Sequence, residues 1–202
     1  SIIKDFANID ETESPVIGRI KAINKHKAQQ LLSSLSQSRF KVALCVKGTL
    51  PTKNWPQSKF ADLIIKLNSL YDCAFFITGM SQDREYVDEI ISITSLPVRN
   101  FCGLTNLLDL AALLDDSDLF ITVDTGALHI ASTTKVPIVA LYGSTTPVQW
   151  GPMNKRNVVI YQNFQCSPCS FLSLDSCPEH ACMNTISVDM VIKSVESLNC
   201  LK

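Results

Sequence analysis

Residues 118–143 read DLFITVDTGALHIASTTKVPIVALYG: two short apolar runs with a polar, glycine-bearing stretch of helical length between them. Each apolar run has the length of a strand buried on both faces, and the segment between them spaces its apolar residues like a helix. That is one β-α unit of a parallel sheet. The same alternation continues upstream. KVALCV (41–46) and CAFFIT (73–78) are buried-strand runs, and VRNF (98–101) is a shorter candidate. Between the first two, Phe60, Leu63, Ile64, Leu67 and Leu70 recur at helical spacing, with Pro56 suited to the first turn. QDREYVDEIISITS (82–95) puts Tyr86 or Val87, Ile90, Ile91 and Thr94 on one face, and LLDLAALLDDS (107–117) continues the series. Near the end, Ser187 caps a helix striped by Val188, Val191, Ile192, Val195 and Leu198. The pattern predicts an α/β, Rossmann-like three-layer domain with a parallel sheet over residues 41–202. Residues 1–40 form an approach or linker segment with a short helix in NKHKAQQLLSSLSQS (24–38), and a Cys-rich loop occupies 163–185.

Composition narrows the function classes. At 202 residues and 46% hydrophobic, the chain can bury a substantial core. A net charge of −1 with interspersed signs gives no footprint for nucleic acid. No apolar run approaches the roughly 18 residues of a membrane span. The first residues carry early charges and no apolar signal-peptide core, so the expected compartment is reducing. A start at Ser1 without Met fits a piece of a longer protein.

In open α/β sheets, ligands bind outside the carboxyl ends of the strands, and Asp124-Thr125-Gly126 sits at such an end. The tripeptide also occurs in the catalytic loop of retroviral-type aspartic proteases, but that chemistry needs two carboxylates on a mostly β chain. Backbone N–H groups where the helix starts suit phosphate oxygens, with Gly126 allowing close approach. The plainer reading makes Asp124 an N-cap and Gly126 a tight-turn residue. Four other loops rich in Gly, Thr and Lys share the same edge of the sheet. One carries Lys47, Thr49, Thr52 and Lys53; the others are TGMSQD, CGLTN and YGSTTPVQWGP. Lys53 is suited to neutralise a phosphate as a point charge, the alternative being an ordinary exposed lysine. His129 lies one turn into the helix, facing the crevice or serving a structural hydrogen bond.

KGTLPTKNWP (47–56), the long stretch from Gly103 to Pro152 and the tail CSPC…CPEHACMNTISVDMVI together resemble glycosyltransferase family 9, the lipopolysaccharide heptosyltransferases. The similarity runs over roughly residues 41–195 in the order and spacing of that family's second domain. The resemblance implies the C-terminal, donor-binding half of a GT-B enzyme that is cytoplasmic, or peripheral at the inner face of the bacterial inner membrane. It implies an inverting, metal-independent transfer of heptose from ADP-L-glycero-D-manno-heptose to the inner-core acceptor, which the N-terminal domain binds. By matching motif, Thr49 and Lys53 hold the donor phosphates, and Asp124 binds sugar hydroxyls. The backbone at Thr125 and Gly126 contacts the pyrophosphate, and Thr105 and His129 line the donor pocket. Asp83 or Glu85 takes the ribose. The family's catalytic base belongs to the first domain, so no catalytic residue is assigned in this chain and no cofactor is required.

In the Cys-rich loop, Cys166 and Cys169 are separated by two residues, and Cys177 and Cys182 by four, with His180 between the second pair. Such spacing admits a structural zinc site, a disulfide or free thiols. Two readings therefore stand beside the heptosyltransferase one: a transferase of another nucleotide-sugar, and a non-enzymatic, zinc-dependent interaction module.

Overall fold

The structure is a computed structural model that describes residues 18–35, 37–169, 177 and 179–202. The described strands are β1 (Phe40–Cys45), β2 (Cys73–Ile77), β3 (Arg99–Asn100), β4 (Leu119–Val123), β5 (Ile138–Tyr142) and β6 (Asn157–Tyr161). They form one parallel sheet in the order β3-β2-β1-β4-β5-β6. The expected Rossmann-like α/β fold is the fold observed. The helices are α1 (Ala22–Leu32), α2 (Gln57–Leu70), α3 (Arg84–Thr94), α4 (Leu107–Asp115), α5 (Gly126–Ala131), α6 (Pro147–Trp150), α7 (Ala181–Asn184) and α8 (Val188–Leu198).

Helices cover both faces of the sheet, so the strands alternate between two cores rather than between core and water. In β1, Val42 and Leu44 join the core beneath α2, α3 and α8, whereas Ala43 and Cys45 join that beneath α1, α4 and α5. In β4, Leu119, Ile121 and Val123 take the first side and Phe120 the second. Every residue of β2, β4 and β5 is buried, which is why these three read as apolar runs, broken only by Thr122.

Helix α1 is docked on α4 by polar contacts. Asp109, only 3% exposed, accepts from Asn24 Nδ2 at 2.7 Å and Lys27 Nζ at 2.8 Å. Asn106 caps α4 by accepting from the Asp109 N–H at 2.9 Å, and Asp109 returns a bond to the Asn106 N–H at 3.3 Å. Ser187 caps α8 by accepting from the Met190 N–H at 3.2 Å. The helix expected over 126–135 stops at Ala131. The Thr133 and Thr134 hydroxyls turn back onto the carbonyls of Ile130 and Ala131, the local competition with helix that β-branched hydroxyl residues offer.

The sheet's order reverses between β1 and β4. From β1 the chain builds outward to β2 and β3, and from β4 it builds the other way to β5 and β6. The loops leaving β1 and β4 therefore part at their carboxyl ends and leave a crevice between them. The paired register Cys45↔Thr122 sets the height of both loops above the sheet.

Candidate functional site

The loop after β1 is held from below. Trp55 is fully buried, donates its indole N–H to the Ile186 carbonyl at 3.0 Å and meets the Phe60 ring edge-on at 4.9 Å. Pro51–Lys53 forms a 3-10 turn, and Asn54 accepts from the Gly48 N–H at 2.8 Å, closing the loop on itself. A Cβ at Gly48 would lie 2.9 Å from Lys53 Cβ and 3.5 Å from the Asp124 carbonyl. Glycine at 48 is thus what lets the Lys53 stem lie down toward β4.

Across the crevice, Lys53 Nζ meets Asp124 Oδ2 at 2.6 Å, with the side chains 17% and 6% exposed. Thr145, from the loop after β5, donates to the same carboxylate oxygen at 2.7 Å. Asp124 is not a cap: the N-cap position of α5 belongs to Thr125, whose hydroxyl points at the Cys45 thiol 3.7 Å away. Burial pushes the Cys45 thiol up, so it stays neutral below the crevice. Burial, and then the charge of Asp124, likewise raises Tyr142, whose hydroxyl donates to the Trp150 carbonyl. A Cβ at Gly126 would meet no protein atom within 4 Å, so packing does not require glycine there. The space beside it opens outward.

Thr49, Lys53, Asp124, Thr125, Gly126, His129 and Trp150 line one pocket of about 200 Å³ at this crevice. Six of these carry roles expected from the sequence; Trp150 does not. Neither does Thr145, although both lie in the YGSTTPVQWGP loop at the right edge of the sheet. An aromatic residue in such a loop is the signal that would have found Trp150. Its ring stands edge-on to His129, with centroids 6.3 Å apart.

Two expected site residues lie outside that lining. Asp83, expected at the ribose, is 5% exposed and engaged on both oxygens. Lys47 Nζ lies 3.1 Å from one, and the Met80 N–H donates to the other at 2.9 Å. Lys47 also sits over the Tyr86 ring, 5.3 Å from its centroid. Thr105, on the loop before α4, does not line the pocket either. Cys166, Cys169, Cys177 and Cys182 all carry free thiols. Among the described residues, no group of three or more His, Cys, Asp or Glu side chains is gathered to hold a metal ion.

The family model for glycosyltransferase family 9 (heptosyltransferase) matches residues 3–175. Lipooligosaccharide heptosyltransferase 2 of Campylobacter jejuni is 30% identical over 152 residues, 72% of this chain and 46% of that protein. The crystal structure of the glycosyl transferase family 9 from Veillonella parvula superposes with a TM-score of 0.81 at 25% identity, covering 98% of this chain and 57% of that one. E. coli ADP-heptose lipopolysaccharide heptosyltransferase II gives a TM-score of 0.72 at 23% identity, covering 92% and 55%. The chain spans about half the length of the curated relatives it matches.

Proposed function

Because the chain belongs to glycosyltransferase family 9, we propose that it is the donor-binding half of an inverting, metal-independent transferase. The reaction moves heptose from ADP-L-glycero-D-manno-heptose to the lipopolysaccharide inner core. One observation carries the reading: an ammonium and a carboxylate, Lys53 and Asp124, face each other at 2.6 Å across the switch-point crevice. Cation, acceptor-only carboxylate and backbone N–H groups in one pocket match the diphosphate and hydroxyls of a nucleotide-sugar.

On donor binding, Lys53 exchanges Asp124 for diphosphate oxygens, and Asp124 turns to the hydroxyls of the sugar. Thr49 and the backbone N–H groups of Thr125 and Gly126 add neutral donors to the phosphates. Breaking the bond between the anomeric carbon and oxygen leaves its electron pair on the diphosphate. The fixed charge of Lys53 stabilises that developing negative charge with little reorganisation. The acceptor hydroxyl attacks the opposite face of the sugar, which inverts the anomeric centre. A carboxylate of the other half of the protein removes its proton; no residue of this chain is assigned that task. No helix among the described residues is long and apolar enough to cross a membrane. The same reading has the full protein working peripherally at the inner face of the bacterial inner membrane, where its lipid-borne acceptor is built.

Calorimetric titration of ADP into the chain tests the reading. Lys53→Ala removes a charge-assisted phosphate contact and should weaken binding by about tenfold or more. Equal affinity in the two proteins would sink the assignment. A second reading is kept because Asp83 is ion-paired with Lys47 away from the pocket, leaving no assigned reader of the nucleoside inside it. A transferase of another nucleotide-sugar would show tighter binding of UDP or GDP than of ADP in the same titration.

A further inference from the structure

Trp150 is half-exposed, at 45%, yet its backbone is held in place. Thr146 caps the four-residue α6, accepting from the Val148 N–H at 3.3 Å, and the Tyr142 hydroxyl donates to the Trp150 carbonyl. The turn that follows is tight: a Cβ at Gly151 would sit 2.4 Å from the Pro147 carbonyl oxygen. An indole whose backbone is so held, yet which leaves much of its surface in water, gains little for the fold. In a pocket, it is an apolar face held ready for a ligand.

The order of strands says which part of the donor reaches it. Along the carboxyl edge come β2 with Asp83, β1 with Lys53, β4 with Asp124 and β5 with Thr145 and Trp150. With the diphosphate on Lys53 and sugar hydroxyls on Asp124, the next wall outward is Trp150, so the sugar ring and not the nucleoside lies against it. A pyranose presents C–H bonds on its faces, an apolar and weakly positive surface that fits the negative face of an indole. His129 stands edge-on to the same ring, with centroids 6.3 Å apart.

We propose that Trp150 is the stacking platform for the transferred sugar and makes the pocket prefer a sugar-bearing donor to the bare nucleoside diphosphate. This rests on the donor-site reading above, and the test separates the two. The chain holds two tryptophans, of which Trp55 is fully buried, so Trp150 dominates any change in emission at the pocket. ADP and ADP-L-glycero-D-manno-heptose are titrated into wild type, Trp150→Ala and Trp150→Phe by calorimetry and by tryptophan fluorescence. Trp150→Ala should bind ADP-heptose about tenfold more weakly and ADP within about twofold of wild type. Trp150→Phe should retain most of the preference. Wild-type emission should change with ADP-heptose and much less with ADP, and the change should vanish in Trp150→Phe. Equal weakening of both ligands, or unchanged affinity for both, overturns the platform while leaving the donor site standing. Failure of wild type to bind either ligand overturns the donor-site reading and the platform with it.

Discussion

On the proposed donor-site reading, the Lys53–Asp124 pair competes with the donor diphosphate for Lys53, and this makes a specific prediction. Asp124→Asn keeps the shape of the side chain and leaves an amide oxygen for the Thr145 hydroxyl, now 2.7 Å from the carboxylate. It withdraws the charge that occupies Lys53 at 2.6 Å. Fully exposed ion pairs contribute up to about 1 kcal/mol, and breaking fully buried ones costs about 3–5 kcal/mol. With Asp124 6% and Lys53 17% exposed, the pair falls between these limits. We take about 1–2 kcal/mol as the part a diphosphate must offset to gain Lys53, which is about 5–30-fold in affinity. ADP should therefore bind Asp124→Asn more tightly than wild type. ADP-heptose should gain less, because the variant loses the acceptor for sugar hydroxyls. The assay is calorimetry at low ionic strength, where charge effects are least screened. Weaker or unchanged ADP binding would refute the competition. The fold should survive, since the freed Lys53 head can reach water along its stem.

Other expectations concern the supports of the site. The hydrogen bonds from Asn24, Lys27 and Asn106 outweigh burial and hold the Asp109 carboxyl below the usual carboxylate range. Its ionised form thus stabilises the docking of α1 fully above the unfolded value of about 4, and that contribution is lost as pH falls through the lower folded value. Asp109→Ala should cost about 2–3 kcal/mol in urea unfolding at neutral pH and abolish this acid-dependent loosening, read as amide exchange in α1. Gly48→Ala pushes on Lys53 Cβ from 2.9 Å. It should lower ADP affinity by about fivefold or more and lower the melting temperature as well, because Lys53 Cβ is fixed by the backbone of the Pro51–Lys53 turn, which must shift to make room.

What the sequence shows and hides follows from how each residue is constrained. β2, β4 and β5, and β1 from Val42 onward, are legible because burial on both faces leaves almost only apolar residues in them, Thr122 being the exception. The edge strand β6 escapes notice: it is mostly half-buried, and NVVIY follows a charged stretch rather than a helix signal. Lys53 and Asp124 are legible because a strand end fixes where the next residues go. Trp150 and Thr145 are not, because their reach depends on a loop folding back over α5 through a tyrosine hydroxyl. Nor does the sequence reveal that Asp83 is already occupied by Lys47, a contact set by how α3 and the turn before it pack beside the loop after β1.

The hydroxyl of Tyr142 resting on the carbonyl of Trp150 divides the pocket into two grades of permanence. The walls carrying Lys53 and Asp124 grow from adjacent central strands, where a two-residue slip would move them by about 6.6 Å, so they tolerate no gradual change. The opposite wall spans 145–151, a surface segment beyond the strand end that is held by its own turn and by the Tyr142 and Thr145 hydroxyls. On the proposed reading, exchanging residues 146–151 while keeping Thr145 and its bond to Asp124 is the direct route to a different sugar preference. An engineer, like natural variation, can retune the guest there while the diphosphate keeps its seat.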